Sequence, residues 1–298
     1  MLEEFTSILK RRMQGLSFPY SKPTWPGSVE RPLKASKLGV NYDSAWSRRY
    51  FARLARAGLI DWVARPAIGT LAPVRVHGVD YLDSVDGPVI FAGNHSSHLD
   101  TVVLLASLPD RFRHRCLVAA GADYFFDKTF KAHLWSLATG AIPIERNRVD
   151  RKSANLAIEL IDQGWNLIIF PEGGRSPDGW TQSFKPGVSY LAKKTGVPIV
   201  PVYLHGTRQV LPKDSKRITH GATKVVFGEP LHLEPDEDLR DFATRIETKV
   251  YELAHETDES WWKARQGAAR GTTPNLNGPK GSNWRRSWEL KARDLDFK

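Results

Sequence analysis

The chain has 298 residues, 41% of them hydrophobic, a formal net charge of +10 and one cysteine, Cys116. That length fits one large α/β domain with attachments, or two small domains, and a core of that size needs no cross-links. A lone cysteine excludes an intrachain disulfide and points to a reducing compartment.

The opening stretch "MLEEFTSILKRRMQG" places acids before a short apolar run, the wrong order for a secretory signal. No window of about eighteen uninterrupted apolar residues predicts a membrane-spanning helix. Residues 1–66 carry 12 Lys/Arg against 5 Asp/Glu, residues 256–298 carry 9 against 6, and residues 67–255 carry 22 of each. A neutral centre with basic flanks suggests docking on an anionic surface, either membrane or nucleic acid.

Residues 14–42 hold four prolines and three glycines and read as an irregular, basic N-terminal arm within residues 1–42. Residues 43–66 then predict an amphipathic helix. Trp46, Tyr50, Phe51, Leu54, Leu59, Trp62 and Val63 share one broad face, with Arg48, Arg49, Arg53 and Arg56 away from it. Such a helix either packs on the domain with a solvated arginine face, or lies in a membrane interface with arginine toward anionic headgroups.

From about residue 70, apolar runs at 89–94, 116–121, 140–144, 166–173, 197–204 and 223–229 predict buried strands. Helical stretches are expected at 99–108, 127–138, 151–163, 184–195 and 235–256. Alternation of this kind predicts an α/β fold: a mostly parallel central sheet with helices on both faces, in which ligands sit beyond the carboxyl ends of strands. Residues 257–298 form a basic, Trp-containing C-terminal tail expected to have little structure of its own.

Three strand-end loops carry candidate chemistry. "GNHSSHLD" (93–100) crowds polar residues after an apolar strand. One reading is a helix cap. Another is a base, His95, with Asp100 placed to accept from one ring nitrogen and leave the other free. A third is a metal site of His95, His98 and Asp100, but no further His/Cys cluster completes it. The chain has no G-x-S-x-G elbow, so the nucleophile is expected to be a hydroxyl of the substrate. "FPEGGRSPDG" (170–179) predicts a tight loop whose Gly173 and Gly174 allow close backbone approach. There Arg175 offers a planar fork for phosphate and Glu172 balances it. "GAIPIERNR" (140–148) puts Arg146 beyond another strand end, as a second phosphate ligand or a solvated basic loop.

Taken together these loops resemble the glycerolipid acyltransferases, specifically the 1-acylglycerol-3-phosphate acyltransferase family. "NHSSHLD" matches that family's N-H-x4-D motif. "IPIERNR" looks like its second motif, "FPEGGRS" its third, and "VPIVPVYLHGT" (197–207) its fourth. The order and spacing fit over about residues 75–230. Gly174 departs from the more common threonine, which bears on substrate preference. The resemblance implies an acyltransferase domain at 67–256, with His95 as base and Asp100 as its orienter. It also implies acceptor phosphate on Arg146 and Arg175, a loop shaped by Glu172 and Gly173, and no metal or cofactor.

The family implies acyl-CoA or acyl carrier protein as donor and a lysophospholipid acceptor, most directly lysophosphatidate converted to phosphatidate. Glycerol-3-phosphate, dihydroxyacetone phosphate and other lysolipids are alternative acceptors. An acceptor held in a bilayer favours the interfacial reading of the 43–66 helix. The expectation is therefore a peripheral protein on an anionic membrane surface at the cytoplasmic face. Non-enzymatic nucleic-acid binding by the basic arms is the competing class, but no nucleic-acid motif accompanies them.

Overall fold

The computed structural model describes residues 38–145, 151–213, 215 and 217–279. Residues 1–37, including most of the proline-rich arm, and 146–150, which include Arg146, lie outside the described residues.

In chain order the helices are α1 (Tyr50–Gly58), α2 (Arg65–Leu71), α3 (Leu99–Ser107), α4 (Asp110–Arg113), α5 (Ala122–Phe125), α6 (Thr129–Thr139), α7 (Arg151–Asp162), α8 (Gly187–Thr195), α9 (Thr207–Val210), α10 (Leu239–Asp258) and α11 (Trp261–Ala269). The strands are β1 (Val74–His77), β2 (Ile90–Gly93), β3 (Cys116–Gly121), β4 (Ala141–Ile144), β5 (Asn166–Ile169), β6 (Ile199–His205) and β7 (Thr223–Phe227). They form one sheet in the order β1-β7-β6-β2-β5-β3-β4. Every pair is parallel except β6 and β7. Between those two the chain carries only the short α9, with no long helix to cross the sheet, and β7 runs back antiparallel to β6.

Side chains alternate across the sheet with period two. Ile90, Ala92, Leu117, Ile199 and Tyr203 face a core built with α7, α8 and α10. Phe91, Cys116, Val118, Val200, Val202 and Leu204 face a second core built with α2, α3 and α4. Both faces are thus covered, as the near-continuous apolar runs demand of a central parallel sheet. The edge strand β1 is largely exposed, which explains why "VRVH" carries no buried-strand signature in the sequence.

The amphipathic segment differs from the single helix expected over 43–66. Asp43 accepts the Ala45 N–H, a short 3-10 turn spans Ala45–Arg48, and Arg49 is extended, so α1 starts only at Tyr50. A π-helical stretch, Leu59–Ala64, then joins α1 to α2. Pro66 supplies the reason: its ring crowds the preceding carbonyl turn and it has no N–H to give, and the ladder widens just before it, with Arg65 N–H reaching the Ile60 carbonyl.

The orientation of the helix also differs. Arg56 is buried and donates to the carbonyls of Ser47 (2.6 Å), Leu137 (2.8 Å) and Ser136 (2.9 Å), which fastens α1 to the end of α6. Gly140, in the left-handed region at φ 70°, closes α6, and a Cβ there would stand 3.0 Å from the Arg56 guanidinium. Arg53 lies over the Trp165 ring at 5.1 Å. The apolar side faces outward instead: Phe51 is 80% exposed and Trp62 83%. Two of the arginines expected to face headgroups are therefore structural contacts. The C-terminal tail also departs from expectation, because α11 lies within it.

Candidate active site

Strands β2, β3, β4, β5 and β6 run parallel, so their carboxyl ends share one edge of the sheet. The central strand β2 delivers Asn94 and His95 there. Asn94 extends the ladder with its side chain: its amide donates to the Leu204 carbonyl (2.9 Å) and accepts the Leu204 N–H (2.8 Å). The chain is thereby pinned to β6 one residue before the histidine.

His95 is held from three sides. Its backbone N–H donates to Glu172 Oε1 at 2.8 Å, and its carbonyl accepts from Ser176 N–H at 2.8 Å. Its ring stacks on Phe170, centroids 4.1 Å apart and planes 13° off parallel. Its Nδ1 lies 2.9 Å from Asp100 Oδ2. Asp100 is fully buried near the start of α3, and the same oxygen accepts the N–H groups of Ser96 (2.7 Å) and Ser97 (2.8 Å). One carboxylate thus both accepts the N–H groups before α3 and lies within hydrogen-bond distance of the His95 ring. A carboxylate can only accept, so in the neutral imidazole this contact calls for the proton on Nδ1 and leaves the lone pair on Nε2.

Glu172 does not stand free to meet a ligand. It is buried, with Oε1 on His95 N–H and Oε2 on Gln182 N–H (3.0 Å). Burial pushes its pKa up to about 8, against the pull of those two N–H groups. Gly173 turns the chain at φ 77°, and a Cβ on it would meet the Lys185 ammonium at 2.5 Å. Lys185, unmarked by any sequence motif considered above, thus lies over this turn.

Arg175 donates to the Lys213 carbonyl (2.7 Å) and stands 5.8 Å from the centre of the Tyr124 ring. Its charge also bears on His98. Burial first, then the charge of Arg175, push the His98 pKa down to about 4. His98 therefore stays neutral at ordinary pH, stacked among Tyr124 and Trp135. Among the described residues no group of three or more His, Cys, Asp or Glu side chains is arranged to hold a metal ion.

A cavity of about 150 Å³ opens beside His95. Gly173, Gly174 and Lys185 line one part of it. The rest is mostly apolar, lined by Val118, Ala120, Phe125, Trp135, Ala141 and Ile144. Ala119, Ala120 and Gly121 at the end of β3 bring only small side chains to this lining. Sequence reasoning brought His95, Asp100, Glu172 and Gly173 to one place. It missed Phe170 and Asn94 as supports, although both stand inside the quoted motifs.

Fold and site together define an α/β domain with a histidine–carboxylate pair at the carboxyl edge of its sheet, beside an apolar cavity. Residues 73–205 match the Acyltransferase family model. It is 34% identical over 169 residues to the chloroplastic 1-acyl-sn-glycerol-3-phosphate acyltransferase LPAT1 of Arabidopsis thaliana, covering 53% of this chain and 44% of that protein. It is 30% identical over 165 residues to the human 1-acyl-sn-glycerol-3-phosphate acyltransferase alpha, covering 53% and 56%. The chain thus spans about half the length of these relatives. The crystal structure of the 1-acyl-sn-glycerophosphate acyltransferase PlsC from Thermotoga maritima superposes with a TM-score of 0.57 at 24% identity, covering 74% of this chain and 85% of that one, and shares its fold.

Proposed function

We propose that this chain is an O-acyltransferase that moves a fatty acyl group from a thioester to a hydroxyl of a glycerol-phosphate acceptor. The observation that carries the reading is the 2.9 Å pairing of His95 Nδ1 with the buried Asp100, which leaves Nε2 as a base beside the cavity. The acceptor hydroxyl gives its proton to Nε2 as its oxygen attacks the thioester carbonyl. The tetrahedral adduct then collapses, the carbon–sulfur bond breaks, and the imidazolium returns the proton to the departing thiolate. No acyl-enzyme is needed.

Lysophosphatidate is the favoured acceptor, because both relatives named above are 1-acyl-sn-glycerol-3-phosphate acyltransferases. Arg146 and Arg175 would hold its phosphate, while Glu172 serves His95 from behind. The apolar cavity suits an acyl chain, and the donor is acyl-CoA or acyl carrier protein. No helix among the described residues is long and apolar enough to cross a membrane. The exposed Tyr50, Phe51, Leu54, Trp62 and Val63, with Phe130 and Leu134 on the adjoining α6, offer an apolar surface for peripheral docking on a bilayer, at its cytoplasmic face. Acyl transfer from an acyl thioester to lysophosphatidate, followed by lipid mass spectrometry, tests the reading. Phosphatidate formed by the wild type supports it, and no product from any phosphorylated acceptor refutes it.

A further inference from the structure

Residues 171–185 form neither helix nor strand, so their backbone donors need partners from elsewhere. Within the site, Ser176 N–H goes to the His95 carbonyl and Gln182 N–H to Glu172. Two more donors are taken up by the C-terminal part of the chain. Thr181 N–H donates to the Leu276 carbonyl at 3.0 Å, and Phe184 N–H to Glu247 Oε2 at 2.8 Å.

Asn277 joins these contacts. Its Oδ1 accepts from the Thr181 hydroxyl at 3.1 Å and lies 3.0 Å from the Tyr251 hydroxyl, which donates to Glu247. Its Nδ2 is 3.4 Å from Glu247 Oε1. On either side the packing is close. Leu276 and Trp180 are both buried. Gly278, at φ 73°, lies so near the Trp180 indole that a Cβ would stand 2.5 Å from its ring carbons. This C-terminal segment lies well outside the family match at 73–205.

We propose that residues 272–278 are a strap on the catalytic loop, and that Asn277 is a positioning residue acting through Thr181, Gln182 and Glu172 on His95. The path is continuous: Asn277 fixes Thr181, the next residue donates to Glu172 Oε2, and Glu172 Oε1 holds the His95 N–H. The strap thus keeps the base at its place on the strand end. Its catalytic consequence rests on the acyltransferase reading above, whereas its mechanical consequence does not.

The test combines hydrogen exchange with steady-state kinetics on the full chain. In Asn277→Ala, amide exchange in peptides covering 178–185 and 93–98 should quicken about tenfold or more, while peptides of α7 stay at wild-type rates. With acyl-CoA and lysophosphatidate, kcat should fall about tenfold with KM within about twofold, since the base is displaced and the substrate contacts remain. Thr181→Val should reproduce both effects, Thr181→Ser should restore them, and the exposed Arg270→Ala should change neither. The Thr181 pair decides the matter if Asn277→Ala does not fold. Wild-type exchange in both peptides of a folded Asn277→Ala or Thr181→Val variant overturns the strap. If the wild type transfers no acyl group, the acyltransferase reading falls, and the exchange comparison still decides the strap.

Discussion

Glu172 accepts the backbone N–H of His95 at 2.8 Å with one oxygen and that of Gln182 at 3.0 Å with the other. An acid read from the sequence as balancing Arg175 and shaping its loop is an internal brace between two loops. Its pKa, pushed up to about 8 by burial, gives the brace a pH signature. A carboxyl with a higher pKa folded than unfolded binds an extra proton in the folded state between the two values. Its stabilising contribution is full below about 4.5 and is lost as pH rises through about 8. Denaturation measured from pH 5 to pH 9 should show stability falling across that window. Glu172→Gln should flatten that component, and an unchanged slope in the variant would contradict this assignment.

Arg56 should matter more to folding than to membranes. Arg56→Met leaves three carbonyls on the Ser47 and Ser136–Leu137 side without their donor. Hydrogen bonds to a charged group contribute about 1.5–3 kcal/mol each, and relaxation recovers part of that. Chemical denaturation should show a loss of about 2–4 kcal/mol. A loss within about 0.5 kcal/mol would return Arg56 to a surface role.

This residue also marks where sequence reading stopped. The buried strands, their alternation with helices and the close spacing of His95 and Asp100 were legible, because apolar runs and strand-end polarity are local signals. Which side of the 50–71 helix faces inward was not. An amphipathic pattern gives two faces, and only tertiary contacts decide which is covered. Here the Ser136 and Leu137 carbonyls at the end of α6 draw the arginine inward and leave Phe51 and Trp62 outside. Lys185 was invisible for a similar reason, since its approach to Gly173 depends on the path of an irregular loop.

Membrane binding should follow the exposed apolar residues. Phe51→Ser with Trp62→Ser should sharply reduce cosedimentation with anionic vesicles, and raising salt should weaken wild-type binding only modestly. Binding abolished by salt but untouched by the double substitution would assign docking to the basic residues.

Arg175→Ala should cost on the order of tenfold to a hundredfold in kcat/KM with lysophosphatidate, the loss of one charge-assisted bond to phosphate. Lysine at this position should recover only part, keeping the charge without the fork. With a neutral monoacylglycerol the wild type should be poor and the variant little worse. Equal losses with both acceptors would mean that Arg175 supports the loop through the Lys213 carbonyl instead.

The most direct test of the account is acyl transfer to lysophosphatidate by His95→Ala, checked for native fold by circular dichroism. General base catalysis contributes about a hundredfold to ten-thousandfold, so turnover should fall by at least two orders of magnitude while the variant stays folded. Near-wild-type turnover in folded His95→Ala would contradict the assignment of His95 as the base, and with it the mechanism.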